Sequence, residues 1–201
     1  MMLDFRGKTV LVLGGGSSIG LALTALLLDE GLAVIPTHAS EAGKAAISQK
    51  FPELAGQSPW LDLHDKASQT SLAPILEAGV DYLVDLAHGD HEVLLAAAGE
   101  ADMDAYFQDN LANRLLLLKT VTRSMLARRF GRLLHVSSTA AALPAPGQGF
   151  YGAAKRAAEG LYQSLALELG PRGISGLSLR LGLVDAGRGE QIGRASCRER
   201  V

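Results

Sequence analysis

The sequence predicts an α/β fold with one doubly wound parallel sheet and helices on both of its faces. Short runs rich in leucine and β-branched residues alternate with longer amphipathic stretches. The first run, residues 9–13, is continuously apolar, as expected of a strand that is buried on both faces. Strands that alternate with helices form right-handed βαβ units, and such units build a parallel sheet.

Four of the five predicted helices have an end signal. Gly31 ends the first helix, Pro52 follows the second, Pro74 breaks the third early, and Gly170 with Pro171 stops the last. The predicted strands are residues 9–13, 32–36, 60–63, 81–86, 132–137 and 174–181. The predicted helices are residues 18–29, 41–50, 66–77, 102–129 and 149–169.

Composition narrows the class of function. The 201 residues are 48% hydrophobic, which is enough to form the core of a single domain without disulfides or a structural metal. A formal net charge of -2 and a pI of about 6.2 argue against a nucleic-acid partner. The sequence shows neither a membrane-spanning apolar stretch nor a signal peptide, so we expect a cytoplasmic protein.

A glycine-rich turn, residues 14–20, joins the first strand to the first helix. A dinucleotide-binding fold places its pyrophosphate there, because the helix dipole and free N–H groups favour an anion. Glycines allow the sharp turn and the close approach of a cofactor. A tight turn without a ligand and the S-adenosylmethionine-binding folds share this feature, so the turn alone does not identify the ligand.

A tyrosine and a lysine provide the second signal. Tyr151 and Lys155 stand four residues apart on a predicted helix and therefore share one face. A positive charge beside a phenol favours its ionised form, which suits a general acid/base. Ser138 stands at the end of the fifth predicted strand, on the edge that faces the ligand crevice of such sheets. Its hydroxyl could hydrogen-bond a substrate carbonyl and orient it for hydride transfer.

With these residues in this order, the sequence resembles the short-chain dehydrogenase/reductase family and, within it, the 3-oxoacyl-carrier-protein reductases. Gly14 and Gly20 match the family's Thr-Gly-x-x-x-Gly-x-Gly turn, and Asn110 with Leu111 matches its Asn-Leu on the long helix. Asp62 matches an aspartate that lies near the adenine. The resemblance implies a Rossmann-type fold with a catalytic tetrad of Asn110, Ser138, Tyr151 and Lys155.

The resemblance also implies a role for each member of the tetrad. Tyr151 would donate its proton to the carbonyl oxygen as hydride arrives, or accept it in the oxidative direction. Lys155 would bind the nicotinamide ribose, Ser138 would polarise the carbonyl, and Asn110 would support a water-mediated proton relay. The candidate cofactor-binding residues are Gly14, Gly16, Ser17, Ser18, Ile19, Gly20, His38, Asp62, Leu63, Ala87, Tyr151, Lys155, Gly182 and Val184.

The sequence departs from the family pattern in residues that concern the cofactor. Leu13 replaces a threonine, and Ser18 replaces a glycine, where a positive φ would strain the serine by about 1 kcal/mol. Residues 85–88 read Asp-Leu-Ala-His where the family has Asn-Asn-Ala-Gly. Leu181 replaces a proline, and Ala186 a threonine that often hydrogen-bonds the cofactor. The tetrad is intact, so the predicted reaction class is retained.

The choice between NAD and NADP depends on the end of the second strand. Residues 37–40, Thr-His-Ala-Ser, include no acid that would bind the ribose 2′-hydroxyl of NAD. No arginine offers itself for the 2′-phosphate of NADP, although His38 and Ser40 could contribute. On this basis we expect NADP rather than NAD.

Other residues predict no metal site but do indicate self-association. His88 and His91 lack a third ligand at a suitable spacing, so we expect solvated loop histidines. Leu111, Leu115 and Leu118 recur at helical spacing, which indicates core or dimer contacts. The resemblance implies a homo-oligomer, a dimer or a tetramer, that pairs through this helix and the helix of the catalytic tyrosine.

The sequence pattern changes near its end. We assign the catalytic domain to residues 1–186 and expect the arginine-rich residues 187–201 to be disordered. Residues 192–201 can be encoded by ATC GGA AGA GCG TCG TGT AGG GAA AGA GTG, a common sequencing-adapter sequence, and we interpret them as non-native. Family members continue with a substrate-covering helix and a seventh strand. We therefore expect a truncated chain with an open pocket and an unpaired strand edge.

The sequence thus predicts an NAD(P)-dependent oxidoreductase that reduces a ketone, possibly a 3-oxoacyl thioester, or oxidises the matching secondary alcohol. Two alternatives stay open. A dinucleotide-binding module without turnover would bind cofactor but show no carbonyl-dependent oxidation of NADPH. An inactive fragment would be poorly soluble or bind weakly. The substrate, the stereochemistry and the physiological direction depend on loops, and the sequence does not determine them.

Overall fold

The computed structural model describes residues 4–89, 93–182 and 184. Within these ranges the apolar runs form strands and the amphipathic runs form helices. The strands are β1 (Thr9–Leu13), β2 (Ala33–Pro36), β3 (Tyr82–Asp85), β4 (Gly131–Ser138) and β5 (Ile174–Leu181). The α-helices are α1 (Ser18–Asp29), α2 (Glu41–Lys50), α3 (Ala73–Ala78), α4 (Glu100–Phe107), α5 (Arg114–Arg128) and α6 (Gly149–Leu169).

The described strands form a single parallel sheet in the order β2-β1-β3-β4-β5. The chain runs outward from β1 to β2 and then returns to place β3 on the other side of β1. In a doubly wound sheet this reversal opens a crevice at the carboxyl ends of β1 and β3. The predicted fold class is confirmed.

Helices cover both faces of the sheet because alternate residues of β1 pack in opposite directions. Leu11 and Leu13 lie in a buried cluster with Leu117 of α5 and Tyr162 of α6. Val10 and its alternate neighbours pack in a second cluster with leucines of α1. Burial on both faces explains why the β1 sequence is continuously apolar.

The predicted strand at residues 60–63 is wrong as a regular strand. It contributes only one parallel bridge, between Trp60 and His38. Directly afterwards the Ser68 hydroxyl accepts from the Asp62 N–H at 3.0 Å and donates to the Asp62 carbonyl at 2.8 Å. These bonds turn Asp62 away from the sheet, because a side chain takes the place of the neighbouring strand.

The long helix predicted at residues 102–129 is instead divided into three parts. A π-helical segment, Gln108–Asn113, lies between α4 and α5. The Asn110 amide donates to the Tyr106 carbonyl at 3.0 Å, and Arg114 Nε donates to the Asn110 carbonyl at 2.9 Å. Side chains that enter the backbone ladder in this way favour a π-bulge, a feature often found at functional sites.

The third helix also differs from its prediction. Residues Lys66–Leu72 form a 3-10 helix, and α3 begins only at Ala73. Pro74 lies in the first turn of α3, where its missing N–H costs nothing. The break that the proline predicted is therefore confirmed, but the proline starts the α-helix rather than ending it.

Strand β5 forms the edge of the described sheet, paired only with β4. Leu177 and Leu179 on this strand are 59% and 48% exposed. No helix in the described ranges is long and apolar enough to cross a membrane.

Candidate active site

The strands that carry predicted site residues end at one edge of the sheet. The strands are parallel, so the carboxyl ends of β1, β3 and β4 lie on the same side. A Cβ added to Gly14, just after β1, would lie 3.3 Å from the Ala87 nitrogen in the loop after β3. The turn after β1 and the loop after β3 are therefore in contact at this edge.

The glycine-rich turn is held by short hydrogen bonds. Gly14 has a φ of 73°, a conformation that favours glycine, and its N–H donates to the Thr37 hydroxyl at 3.2 Å. Ser17 caps α1, because its hydroxyl accepts from the Gly20 N–H at 3.0 Å. The other N–H groups of the first turn of α1 have no acceptor inside the helix.

Several glycines in this turn are required by packing alone. A Cβ on Gly20 would lie 2.4 Å from the Gly14 carbonyl oxygen, and one on Gly15 would lie 2.4 Å from Pro36 Cβ. A Cβ on Gly16 would lie 2.7 Å from Gly43 Cα. The glycine spacing is thus explained without a ligand, and the case for anion binding depends on the helix N-terminus at the crevice.

The condition for strain at Ser18, a positive φ, is not met. In the described ranges Arg129 is the one non-glycine residue with a positive φ, at 51°. Ser18 is the first residue of α1, next to Ile19, and has ordinary helical geometry. Leu13, which replaces the family's threonine, is also accommodated, because its side chain is buried in the core.

Three members of the predicted tetrad come from β4 and α6. Ser138 is the last residue of β4, and its hydroxyl accepts from the Ala140 N–H at 3.2 Å, which leaves its own proton able to donate. Tyr151 and Lys155 lie in the first two turns of α6. Lys155 Nζ donates to the Val136 carbonyl at 2.8 Å and lies 5.8 Å from the centre of the Tyr151 ring.

A close contact holds α6 against the end of β4. A Cβ on Gly152 would lie 2.7 Å from the Ala140 carbonyl oxygen. Only glycine lets the helix approach the turn after Ser138 so closely, and this approach sets the separation of Ser138 and Tyr151. The sequence reasoning missed Gly152, although its place directly after the tyrosine was a usable signal.

The fourth tetrad member, Asn110, lies in the π-helical segment and is only 1% exposed. Its side-chain oxygen accepts from the Gly89 N–H at 2.9 Å, so it connects this segment to the loop after β3. The structure thus brings Asn110 to the same edge of the sheet as the other three residues.

Arg114, which the sequence reasoning missed, explains the altered motif after β3. Asp85 is fully buried and forms an ion pair with Arg114, also buried. The Tyr162 hydroxyl donates to the same carboxylate at 2.7 Å. Burial raises the pKa of Asp85, but the Arg114 charge and these hydrogen bonds outweigh it, so the pKa lies below its ordinary value. Asp85 is therefore charged and paired.

His88 is not a solvated loop histidine, so that expectation was wrong. Its Nε2 lies 2.7 Å from the Tyr106 hydroxyl. Its ring meets the Tyr151 ring edge-to-face, with 4.8 Å between ring centres. The residue that replaces the family's glycine thus contacts the predicted catalytic tyrosine. His91 lies outside the described residues.

The residues proposed for the adenosine side all have structural partners. His38 is buried against Trp60, and its Nδ1 lies 2.9 Å from the Ser58 hydroxyl. Burial, and then the Lys44 charge, lower the pKa of His38. Asp62 accepts from the His64 N–H at 3.0 Å.

The remaining predicted cofactor-binding residues differ in how firmly they are held. Leu63 is buried in the core, and its carbonyl accepts from the Asn113 amide at 2.8 Å. The Ala87 carbonyl accepts from Arg114 at 2.6 Å. Gly182 and Val184 follow β5 and are exposed. Ala186 and the tail at 187–201 lie outside the described residues.

In the described ranges no group of three or more His, Cys, Asp or Glu side chains could hold a metal ion. His135, on β4, stacks on Tyr162 with 4.9 Å between ring centres, and its Nδ1 lies 3.3 Å from the Ser178 hydroxyl. His135 therefore has partners on both α6 and β5.

The fold and this arrangement define a class of protein. The chain matches the family described as short chain dehydrogenase over residues 8–196. It therefore belongs to the short-chain dehydrogenase/reductase family, which confirms the resemblance and makes it an oxidoreductase that uses a nicotinamide dinucleotide. The matched range includes residues 192–196, part of the segment that we interpret as non-native.

Curated relatives give the more particular likeness. The chain is 34% identical over 176 residues to the 3-oxoacyl-(acyl-carrier-protein) reductase FabG of Escherichia coli, covering 86% of this chain and 72% of the relative. It is 31% identical over 186 residues to FabG of Vibrio harveyi, covering 91% and 76%. Nodulation protein G of Rhizobium meliloti is 28% identical over 195 residues, covering 95% and 79%.

Solved structures agree. A short chain dehydrogenase/reductase family protein superimposes with a TM-score of 0.84 at 29% identity, covering 96% of this chain and 82% of the other. An NAD+-bound xylitol dehydrogenase gives 0.81 at 25% identity, covering 94% and 76%. The structure of ElxO with NADP bound gives 0.81 at 21% identity, covering 94% and 79%, and supports the fold alone.

Proposed function

We propose that the chain reduces a ketone to a secondary alcohol with NADPH, and that 3-oxoacyl thioesters are its substrate class. The observation that carries the proposal is the arrangement of Ser138, Tyr151 and Lys155, with the tyrosine and lysine stacked on successive turns of α6 beside the end of β4. The reverse oxidation uses the same residues.

Each residue has a defined task in the proposed reaction. The Ser138 hydroxyl donates to the carbonyl oxygen of the substrate, since its lone pair already accepts from Ala140. The Tyr151 hydroxyl gives its proton to that oxygen as negative charge develops. Lys155 stabilises the phenolate that remains, because its ammonium is fixed near the ring by the Val136 carbonyl. The bound nicotinamide supplies the hydride.

The turn after β1 and the loop after β3 fit a dinucleotide. The start of α1 supplies N–H groups for a pyrophosphate, with Gly14, Gly16 and Ser17 lining the turn. Ser18, Ile19 and Gly20 form the first turn of the helix. Ala87, Lys155, Gly182 and Val184 are proposed for the nicotinamide side, and His38, Asp62 and Leu63 for the adenosine side.

NADP preference is the finer part of this proposal. Two observations support it: the end of β2 has no acid in residues 37–40, and Lys44 lies near enough to His38 to lower the His38 pKa. Lys44 on α2 is the cation that we propose for the 2′-phosphate. Its weak contact with Glu41, at 3.9 Å, leaves it able to turn.

The substrate class is proposed from the curated relatives, whose names describe reductases of 3-oxoacyl groups on acyl carrier protein.

An apolar groove on the outer face of α4, α5 and α6 supports the further proposal of a homo-oligomer, a dimer or tetramer. It is lined by Phe107, Leu111, Leu115 and Leu161. Light scattering of the purified chain tests the oligomer, and a monomer at micromolar concentration contradicts it. The cytoplasmic location and the domain limits stay predictions.

Two measurements test the proposal. The first is a fluorescence titration with NADPH and NADH in parallel, and the second is the oxidation of NADPH in the presence of an acetoacetyl thioester or a simple cyclic ketone. We expect tighter binding of NADPH, a loss of preference in Lys44→Gln, and thioester-dependent oxidation of NADPH. Binding without turnover would support the alternative of a dinucleotide-binding module. Binding of neither cofactor would support the inactive fragment. The same titration on a chain extended at its C-terminus would then show whether the extension restores binding.

A further inference from the structure

The candidate site contains a buried ionic cluster that the proposed reaction does not use. Asp85 at the end of β3 and Arg114 at the start of α5 are 0% and 1% exposed. The carboxylate of Asp85 accepts from Arg114, from the Tyr162 hydroxyl at 2.7 Å and from the Ala87 N–H at 3.1 Å. The cluster therefore connects the loop after β3 to α5 and to the core residue Tyr162.

The guanidinium of Arg114 makes two further bonds, both to backbone carbonyls. One nitrogen, Nη2, donates to the Ala87 carbonyl at 2.6 Å, and Nε donates to the Asn110 carbonyl at 2.9 Å. Ala87 belongs to the loop after β3, and Asn110 to the π-helical segment. One planar fork thus fixes two segments that are far apart in the sequence, and a lysine ammonium does not reproduce that geometry.

The two segments are also joined at a second point. The Asn110 side-chain oxygen accepts from the Gly89 N–H at 2.9 Å, and its amide nitrogen donates to the Tyr106 carbonyl at 3.0 Å. Asn110 is therefore held through its backbone by Arg114 and through its side chain by Gly89 and Tyr106. Freeing the Asn110 carbonyl and the Ala87 carbonyl together would release both ends of this connection.

A buried ion pair is a poor device for stability alone, because apolar side chains of similar volume often stabilise a core as well or better. Its particular contribution here is directional. We propose that the Asp85–Arg114 pair is a positioning element of the active site. It holds the loop at residues 86–89 against the π-helical segment, in a chain where Asp85 replaces the family's asparagine. The proposal deepens the proposed function and rests on it for its catalytic consequence.

A double variant, Asp85→Asn with Arg114→Met, tests the positioning role without leaving a buried unpaired charge. Amide hydrogen exchange reports on the Gly89 N–H, and amides of Leu11 in β1 and Leu133 in β4 serve as internal references. We expect exchange at Gly89 to be at least about tenfold faster, with unchanged protection at the references. Unchanged Gly89 exchange in a folded double variant overturns the proposal.

A matched control uses the ion pair between Arg128 and Asp81, which is partly exposed and lies at the opposite edge of the sheet. The variant Asp81→Asn with Arg128→Met should leave Gly89 exchange unchanged, and an equal effect there would also overturn the proposal. If the first double variant does not fold, Arg114→Lys keeps the charge but loses the fork. It should give the same selective increase in Gly89 exchange, and a wild-type exchange rate in this variant counts against the role.

Kinetics supply the catalytic readout. In the folded double variant we expect kcat to fall about tenfold and the KM for NADPH to rise, whereas a purely structural role predicts wild-type kinetics at temperatures where the variant is folded. Wild-type chain that neither binds a nicotinamide cofactor nor reduces a carbonyl would defeat the proposed function. The exchange measurement would still decide the positioning role, so the two failures are distinguishable.

Discussion

The β4–α6 region (residues 131–169) and the β3–α5 region (residues 82–89 and 108–128) each supply half of the candidate active site, and they are held in different ways. In the first, Lys155 bonds the Val136 carbonyl in β4, and Gly152 packs on Ala140 in the turn after β4, so both contacts join α6 to the segment directly before it. In the second, two of the bonds from Arg114 reach residues 27 and 29 positions earlier in the chain, across the elements that lie between β3 and α5. The contacts of the second region therefore depend on the completed sheet.

The difference shows how a family motif can change without loss of the site. The β4–α6 region keeps the serine, tyrosine and lysine of the family, and contacts between consecutive elements place them. The β3–α5 region lacks the family's asparagine and glycine. In this chain Arg114 bonds the Ala87 carbonyl of the loop after β3, and His88 contacts Tyr151. At Asp85 the residue that neutralises the changed position, Arg114, lies in a different element.

The largest effect should come from the proposed catalytic tyrosine. Tyr151→Phe removes the proton donor, and we expect kcat to fall by about 10²–10⁴-fold with cofactor binding unchanged, because acid/base catalysis contributes that much. Steady-state reduction of an acetoacetyl thioester and an NADPH titration measure the two quantities. Retention of more than about a tenth of kcat would assign proton transfer to another group.

The next effect tests the long-range region through stability. Arg114→Met leaves the Asp85 carboxylate buried without its partner, so we expect the free energy of unfolding to fall by about 3–5 kcal/mol. Urea denaturation measures it. The double variant with Asp85→Asn should be more stable than this single variant. If Arg114→Met lowers the free energy of unfolding less than Arg128→Met does in the partly exposed pair, the comparison is contradicted.

The third effect concerns pH, through His135. Burial, only partly offset by the Asp85 charge, lowers the pKa of His135 from 6.5 to about 4. The unfolded chain then takes up the proton first, so the stabilising contribution is present above pH 6.5 and is lost as the pH falls from 6.5 to 4. We expect a loss of about 3 kcal/mol over this window.

His135→Phe is the matched variant, because a phenylalanine can keep the stacking on Tyr162 and removes a buried Nε2 that has no partner in the described ranges. Urea denaturation at several pH values should show a flatter profile between pH 6.5 and 4 for this variant. Parallel profiles for the variant and the wild type would show that other groups cause the pH dependence.

The smallest effect sharpens the local side of the comparison. Gly152→Ala places a Cβ 2.7 Å from the Ala140 carbonyl oxygen, so we expect a destabilisation of about 1–3 kcal/mol and a lower kcat. Gly160→Ala lies on the same helix with no atom within 4 Å of the added Cβ. It should be neutral or stabilising, by up to about 1 kcal/mol. Equal behaviour of the two variants would mean that α6 can move away from β4 without cost.

The sequence alone determined the alternation of strands and helices, and it alone supplied the candidate tetrad. The bounds of β1, α1, α2, α6 and β5 agree with their predictions because apolar periodicity and end signals are local properties. The positions of Ser138, Tyr151 and Lys155 follow from their elements for the same reason.

The tertiary structure decided the rest. Asp85 was a mismatch in the sequence, and only the folded chain shows that Arg114 neutralises it. The π-helical segment, the single bridge at Trp60 and the contact of His88 with Tyr151 have no periodic signal. Each arises because a side chain meets a partner from another element, and such meetings depend on burial and distance in space rather than on the order of residues along the chain.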